Sequence, residues 1–329
     1  MSEIFFHRYE LTAGTALNAA TARKTYDGAL VMIDGGVGCI HPWPEFGDAP
    51  LQLHLSSLLT DQPTALAANA IDCAREDAAA RRRGVSLFDG VTIPRSHYSW
   101  SNTRCVESQC ELLCAQHWQA VKLKGTSDVL TTASLINTIT SRIRSAGHHV
   151  SIRVDFNSCL ALGSVEDFLS QLSDAARDEL DFLEDPVPYE ASVWCHLQKK
   201  HGVRLAVDKA WANATAGFDY IVVKPARRDW RLVAEKHPRC PLIFTSAMDH
   251  PIGQSWAALQ AARAYTLLPD RIGLGGLCTQ HLFSGDPFCA RLQTPGGHFS
   301  PDRNGGGLGF GDLLNQLKWE KLSLKNVNL

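Results

Sequence analysis

The sequence lacks any uninterrupted apolar run that approaches about 18 residues, the length that a membrane-spanning helix requires. Residues 1–7 lack the basic stretch and apolar core of a secretory signal. Neither charge predominates, since 32 Lys and Arg face 34 Asp and Glu and leave a net charge of −2. No broad field would therefore attract nucleic acid or an anionic membrane. We expect a soluble, cytoplasmic protein, a monomer or small homo-oligomer, whose partner is a small molecule.

The ten cysteines lack the paired C-x-x-C spacing of zinc sites. Cys105, Cys110 and Cys114 form the only local group, and their spacing does not favour a metal site. We expect reduced, mostly buried thiols. A Gly-x-Gly-x-x-Gly turn is also missing, which argues against an open dinucleotide-binding sheet.

What is present is a repeating α/β pattern in a chain long enough, at 329 residues and 45% apolar composition, to bury a large core. From about residue 119, short β-branched runs alternate with helical stretches. Seven strands are predicted, at residues 120–124, 150–155, 180–184, 203–208, 220–224, 242–246 and 271–275. This regular βα repeat favours a closed parallel barrel.

The first 95 residues have a different pattern of predicted strands and helices. Extended stretches at residues 5–11 and 30–33 precede a helix that opens near residues 61–63 and ends at Gly84, which predicts a small α+β domain. Residues 35–50 are rich in Gly and Pro, as in a mobile loop over a site or an ordinary surface connection. The glycines after residue 285 predict a loose tail.

Charged side chains close several of the predicted barrel strands, and the active site of a parallel barrel lies at the carboxyl ends of its strands. The residues are Lys122, Lys124, Asp155 with Asn157, Glu184, Asp208 and Lys224. Each has a structural alternative: acidic residues at strand ends often cap helices or form turns, and alternating lysines often mark a solvated strand. Lys224 could also extend to solvent or pair with a carboxylate.

The three carboxylates indicate a shared site when they are considered as a set. Asp155, Glu184 and Asp208 are separated by 29 and 24 residues, so each gap fits one βα unit. Three neighbouring carboxylates repel one another unless a cation lies between them, and oxygen ligands of this kind favour Mg²⁺. With Lys124 and Lys224 on the two sides, the set suits removal of a proton next to a substrate carboxylate.

This ordered set resembles the muconate lactonizing branch of the enolase superfamily over most of the barrel. The resemblance implies an α/β fold, a modified TIM barrel (β/α)₇β with an N-terminal α+β capping domain. It implies that Asp155, Glu184 and Asp208 bind Mg²⁺, or Mn²⁺ in its place. By the same resemblance, Lys124 is the catalytic acid and base, Lys224 faces the other side of the intermediate, and Lys122 holds the carboxylate of a small substrate.

Within that branch, the chain is similar to the o-succinylbenzoate synthase family. The short length, residues 246–253 and the entry loop at residues 35–42 carry this likeness. It implies dehydration of a cyclohexadiene carboxylate through an enediolate, with Asn157, Ser246 and Gly275 as substrate contacts. Lys209 after Asp208, and Cys39 in the capping domain, stand where relatives commonly carry Glu.

The expected division is a capping domain at residues 1–95, a barrel at 96–285 and a C-terminal segment at 286–329 that packs back toward the capping domain. Three other functions remain open. A dipeptide epimerase or N-acylamino acid racemase would use the same lysines, although residues 273–277 lack the carboxylates that such epimerases carry. A non-catalytic binding barrel and a Schiff-base aldolase are also compatible with a barrel, but the former leaves the buried lysines unexplained and the latter needs no carboxylate triad.

Overall fold

The computed structural model describes residues 3–14, 17 and 21–327. In these ranges the strands are β1 (Ile4–Ala13), β2 (Thr25–Ile33), β3 (Gly36–Ile40), β4 (Tyr98–Ser99), β5 (Ala120–Lys124), β6 (Ser151–Asp155), β7 (Leu180–Glu184), β8 (Leu205–Val207), β9 (Tyr220–Val223), β10 (Leu242–Phe244), β11 (Phe283–Ser284) and β12 (Glu320–Lys321). The helices are α1 (Leu51–Ser57), α2 (Ala65–Arg82), α3 (Val106–Ala115), α4 (Val129–Ser145), α5 (Leu162–Gln171), α6 (Asp174–Glu179), α7 (Ala191–His201), α8 (Trp230–Lys236), α9 (Pro251–Leu267), α10 (Gly311–Leu314) and α11 (Leu324–Val327). None of the helices in the described ranges is both long enough and apolar enough to cross a membrane.

Strands β4 to β10 form a parallel sheet in chain order. Residues 272–276 close it into a barrel, because the Gly276 amide donates to Phe244 O at 2.7 Å and the Gly275 amide donates to Arg95 O at 2.7 Å. The helices between the strands bury their apolar sides against the sheet. The predicted fold, a modified barrel with an N-terminal α+β unit, is confirmed.

A separate antiparallel sheet forms the N-terminal unit, in the order β11-β1-β2-β3, with β12 also pairing with β1. We call this sheet, with α1 and α2, the cap. Helix α2 packs directly on β3, where a Cβ on Gly36 or Gly38 would come within 2.1 Å of a helix carbonyl oxygen. Glycine is therefore required for this close approach.

The structure corrects two sequence-based predictions about loops. Residues 36–40 are not a mobile loop but the buried strand β3, and only the residues after them reach the cavity described below. The described residues after 285 are not loose either. Leu308 and Phe310 are fully buried, and the Arg81 guanidinium donates to Gly309 O at 2.7 Å. The division into three parts at residues 95 and 285 stays a proposal, which these contacts of the C-terminal segment with the cap support.

Candidate active site

A cavity of about 410 Å³ lies at the carboxyl ends of the barrel strands, beneath the cap. The cap contributes Trp43, Glu45 and Phe46 to its wall. Six of the sequence-predicted site residues line it, namely Lys122, Lys124, Asn157, Asp208, Lys224 and Ser246. Both predicted catalytic lysines are therefore brought to one chamber, whereas the predicted metal ligands Asp155 and Glu184 are not among the described residues that line it.

The register of three neighbouring strands brings the first predicted groups together. Lys124 on β5 pairs in register with Asp155 on β6, and Asp155 pairs with Glu184 on β7. The Lys124 ammonium donates to Asp155 Oδ2 at 2.5 Å. Lys122 Nζ lies 3.0 Å from the same oxygen and 2.6 Å from Glu184 Oε2. Lys124 thus contacts a carboxylate at its own level of the barrel, whereas Lys122, which pairs in register with Arg153, reaches up to the carboxylates of the next level.

The second half of the site surrounds Asp208, which directly follows β8. Its carboxylate accepts hydrogen bonds from the ammonium of Lys224, and from the Arg228 guanidinium at 3.2 Å. Lys224 directly follows β9, so the two ends are neighbours in the sheet. We call Lys122, Lys124, Asp155, Glu184, Asp208 and Lys224 the strand-end cluster.

Burial and mutual charge shift the pKa values in this cluster in different directions. Burial, together with Asp155 and Asp208, raises the pKa of Glu184 to about 7. Burial disfavours the charged form of Asp208 too, but Lys224 and Arg228 outweigh it and lower that pKa to about 2. Burial lowers the pKa of Lys124, aided by the nearby ammonium groups of Lys122 and Lys224 and opposed by Asp155. The site therefore holds carboxylates and amines whose protonation differs from that of free side chains.

The donor set suits a hard divalent cation. Asp208 lines the cavity, and Asp155 and Glu184 end the two preceding strands and are buried. Glu184 Oε1 and Asn157 Oδ1 are buried oxygens without a hydrogen-bond partner among the described residues. As the side chains stand, no three His, Cys, Asp or Glu residues of the described chain form a cluster that could hold a metal ion. Lys122 Nζ instead bridges Asp155 and Glu184. A bound cation would compete with the lysine ammonium groups for these oxygens.

The predicted substrate contacts have different positions. Asn157 lines the cavity, but its side-chain amide donates to Asp155 Oδ1 at 2.6 Å and so fixes that carboxylate. Ser246 lines it as well, with its hydroxyl 2.7 Å from that of Thr279. Gly275 is not among the described residues that line the cavity, because its amide and carbonyl complete the barrel closure. Its neighbour Gly276 lines the cavity in its place.

The structure also shows the positions of Lys209 and Cys39, the two residues that depart from the family pattern. The Lys209 ammonium donates to Asn157 O at 2.6 Å and lies 5.2 Å from the ring centroid of Phe46, so it points away from the Asp208 carboxylate. Cys39 is buried in the cap, where its sulfur lies 3.3 Å from the Tyr9 hydroxyl, and it does not line the cavity.

Sequence reasoning missed seven polar residues of the wall, which are Glu45, His97, Ser99, Arg227, Arg228, Thr245 and Thr279. His97 directly precedes β4, a two-residue strand too short to predict from pattern. Arg227 and Arg228 follow β9 in the run Lys224-Pro225-Ala226-Arg227-Arg228, and this basic run was the available signal. Arg227 also joins barrel to cap, since it donates to Asp48 Oδ1 at 2.9 Å.

Comparison with solved structures supports the fold. The fold matches a mandelate racemase/muconate lactonizing protein from Herpetosiphon aurantiacus with a TM-score of 0.73 and 16% identity, covering 94% of this chain and 97% of that one. It also matches the dipeptide epimerase from Enterococcus faecalis V583 complexed with Mg and L-Leu-L-Tyr, with a TM-score of 0.69 and 14% identity, over 90% of this chain and 94% of that one. At these identities the likeness shows the fold alone, a barrel with an N-terminal α+β unit.

Sequence comparison then narrows the class. Residues 4–80 match the family model for the O-succinylbenzoate synthase N-terminal domain. The chain is 32% identical over 337 residues to an o-succinylbenzoate synthase from Bdellovibrio bacteriovorus, covering 99% of this chain and all of that one. The chain therefore belongs to the o-succinylbenzoate synthase family, and it is an enzyme of the lyase class.

Proposed function

We propose that the chain is an Mg²⁺-dependent hydro-lyase. Its reaction would be the syn-dehydration of 2-succinyl-6-hydroxy-2,4-cyclohexadiene-1-carboxylate to o-succinylbenzoate, a step of menaquinone biosynthesis. The observation that carries this proposal is that Lys124 and Lys224 line one cavity in a member of this family, each paired with a carboxylate of the predicted triad. A small-molecule carboxylate is the only partner that the proposal requires.

Asp155, Glu184 and Asp208 would hold the Mg²⁺, or Mn²⁺ in its place. When bound, the cation would stabilise the negative charge that develops on the substrate carboxylate as the neighbouring carbon loses its proton. All three side chains are buried, Asp208 lines the cavity, and Glu184 Oε1 has no hydrogen-bond partner among the described residues.

Lys124 would take the proton from the carbon next to the carboxylate. It must be neutral to do so, and burial together with the charges of Lys122 and Lys224 lowers its pKa in the required direction. The same ammonium would then protonate the departing hydroxyl on the same face, which accounts for syn elimination by one group. Lys122 would help to hold the substrate carboxylate, and Lys224 would place a cation over the opposite face of the ring.

A second candidate, a dipeptide epimerase or N-acylamino acid racemase, is favoured by the same pair of lysines, because two opposed bases are what racemisation requires. Residues 273–277 instead form the glycine-rich closure of the barrel, and no carboxylate is present there to hold a substrate ammonium. We therefore rank this activity second.

The test follows the loss of the cyclohexadiene absorbance with Mg²⁺ or with EDTA, in the wild type and in Lys124→Ala. We expect turnover that EDTA removes and that Lys124→Ala lowers by roughly 10²–10⁴-fold. Lys200→Ala is the matched control, because Lys200 is an exposed lysine paired with Glu166 outside the cavity. A folded, metal-loaded wild type without turnover would reject the dehydratase. Proton exchange of dipeptides and N-acylamino acids in deuterated water would then test the second candidate.

A further inference from the structure

The cavity wall is rich in cations, and all but one of them are paired within the chain. The cationic residues of the wall are Lys122, Lys124, Lys209, Lys224, Arg227 and Arg228. The ion pairs join Lys122 and Lys124 to Asp155, Lys224 and Arg228 to Asp208, and Arg227 to Asp48. Lys209 differs from the others, because its ammonium contacts only the carbonyl oxygen of Asn157 and the ring of Phe46 among the described residues.

The carboxylates of the wall are also committed to other cations. Arg23 Nε lies 2.9 Å from Glu45 Oε1. Asp208 accepts hydrogen bonds from Lys224 and Arg228. An ammonium group has three N–H donors, and the residues that the structure describes accept one of those of Lys209. Its charge therefore has no counter-charge in the described part of the chain, and a ligand could supply one.

The backbone of Lys209 is anchored, so its side chain starts from a defined position. Its amide donates to Asp185 Oδ2 at 3.2 Å, and the amide of Asp208 donates to Asp185 Oδ1 at 3.1 Å. From there the ammonium reaches Asn157 O at 2.6 Å and lies 5.2 Å from the ring centroid of Phe46 in the cap. Asn157 and Phe46 both line the cavity. The ammonium therefore lies where the barrel wall meets the cap.

The substrate of the proposed reaction carries two carboxylates, which need different partners. The ring carboxylate would lie at the strand-end cluster with the bound cation and Lys122, because Lys124 must reach the neighbouring carbon. The terminal carboxylate of the succinyl side chain is ionised at neutral pH, and enclosing it without a positive partner would be unfavourable. Like charges repel, so it requires a cation away from the first carboxylate. Lys209, turned toward the cap, meets that requirement.

We propose that the Lys209 ammonium binds the terminal carboxylate of the substrate's succinyl side chain. This inference rests on the proposed function. It makes Lys209 a determinant of substrate selection, since a ligand without the second carboxylate should bind more weakly. The Lys209 side chain is exposed, so water screens the pair, and we expect it to be worth roughly fivefold in affinity.

The test compares two ligands of the Mg²⁺-loaded enzyme by calorimetry. One is o-succinylbenzoate, and the other is its analogue with an amide in place of the terminal carboxylate, 2-(4-amino-4-oxobutanoyl)benzoate. We expect the wild type to prefer the diacid, and Lys209→Met to lower the ratio of the two affinities by roughly fivefold. Lys209→Arg retains the charge and should retain most of the ratio. Lys199→Met is the matched control, because Lys199 is an exposed lysine of α7 and is not among the described residues that line the cavity.

The ratio also separates substrate binding from a purely structural role. If Lys209 only ties the loop after β6 to the neighbouring segments, its replacement should weaken both ligands alike. An unchanged ratio in Lys209→Met would therefore overturn the subsite. Should Lys209→Met fail to fold, Lys209→Gln gives the same decision, because it lacks the charge but retains an N–H donor.

Turnover of the precursor distinguishes the failure of this inference from that of the proposed function. If the wild type turns over the precursor but Lys209→Met keeps the wild-type ratio, the subsite is wrong and the dehydratase stands. If the wild type does not turn over the precursor, the proposed function falls and this inference falls with it. In kinetics we expect Lys209→Met to raise KM by roughly fivefold with a smaller change in kcat, because the pair would form in the ground state and the transition state alike.

Discussion

The molecule contains two buried polar clusters in which burial has different effects on the charge of carboxylates. In the strand-end cluster the ammonium groups of Lys124 and Lys224 hold Asp155 and Asp208 in the charged form, and Glu184 is the one carboxylate of the three whose pKa is raised. The other, between cap and barrel, consists of Tyr9, Cys39, His41, Asp249 and His250, and we call it the interface cluster. Here the Tyr9 hydroxyl lies 2.9 Å from His41 Nδ1, and its ring centroid lies 4.7 Å from that of His250.

The interface cluster is driven toward neutrality. Burial raises the pKa of Asp249 to about 7 and lowers those of His41 and His250 to about 3. No cation contacts the Asp249 carboxylate among the residues that the structure describes. Asp155 and Asp208 are as buried as Asp249, yet their pKa values are lowered, because cations lie beside those two carboxylates. Glu184 resembles Asp249 instead, because burial and the neighbouring carboxylates outweigh the charge of Lys122.

Neutralising one carboxylate in each cluster tests the difference between them. Glu184→Gln should have the larger effect. The amide is isosteric but cannot pair with Lys122 or bind a divalent cation equally well. We expect a loss of roughly 100-fold or more in Mg²⁺ affinity, measured by calorimetry, with a comparable loss of turnover. Glu235→Gln, on the exposed face of α8, is the control. Unchanged Mg²⁺ affinity would remove Glu184 from the proposed metal site.

Asp249→Asn should change stability and leave chemistry almost intact. Since the folded pKa of Asp249 is raised, the folded state retains a proton that the unfolded state loses above pH 4, so stability falls as pH rises from about 4 to about 7. The free energy of unfolding of the wild type should therefore fall with rising pH by roughly 2–4 kcal/mol more than that of Asp249→Asn. Denaturant titrations at pH 4.5 and 7.5 measure it.

Asp270→Asn is exposed and serves as the matched control for that measurement. Turnover of Asp249→Asn should stay within about threefold of the wild type. A loss as large as that of Glu184→Gln would show that the interface cluster takes part in catalysis, and the contrast between the two clusters would fail.

The smallest effect is expected where the two clusters meet. Trp43 Nε1 donates to Ala247 O at 2.8 Å, and thereby ties the cap to the loop after β10. Trp43→Phe keeps the aromatic wall but leaves that carbonyl unpaired, which should cost about 1 kcal/mol of stability. We also expect KM to rise a few-fold with kcat nearly unchanged. An equal fall in kcat would mean that this contact matters in the transition state.

The strand-end cluster was predictable because short β-branched runs that alternate with helical stretches identify parallel strands from sequence. Strands β5 and β7 lie at the predicted residues 120–124 and 180–184, and in a parallel barrel the residues that end neighbouring strands must meet. Strand β3 was missed because its glycines suggest a loop, whereas they serve close packing against α2. That requirement arises from a helix more than 25 residues away in sequence, so no local pattern contains it.

His97 and Arg153 illustrate what sequence pattern cannot give. Arg153 is buried within a predicted strand, where the alternation of apolar and polar residues gives no reason for a buried charge. Its partners, Asp181 and Leu274 O, come from other segments and are known only from the structure. The interface cluster is similar, since Tyr9, Cys39 and Asp249 come from segments that no periodicity links. Pairings across a domain boundary depend on how the two units dock, which is a tertiary property.

The pairing of β1 bears on the order in which this chain can fold during synthesis. Phe5 and Phe6 pair with Lys321 and Glu320, which are translated about 300 residues later. At typical rates of roughly 5–20 residues per second, the outer edge of β1 stays open for roughly 15–60 s on the ribosome. An open strand edge invites association with other chains. The sheet of the cap is therefore completed only after the barrel strands, which pair in order of translation, have been synthesised.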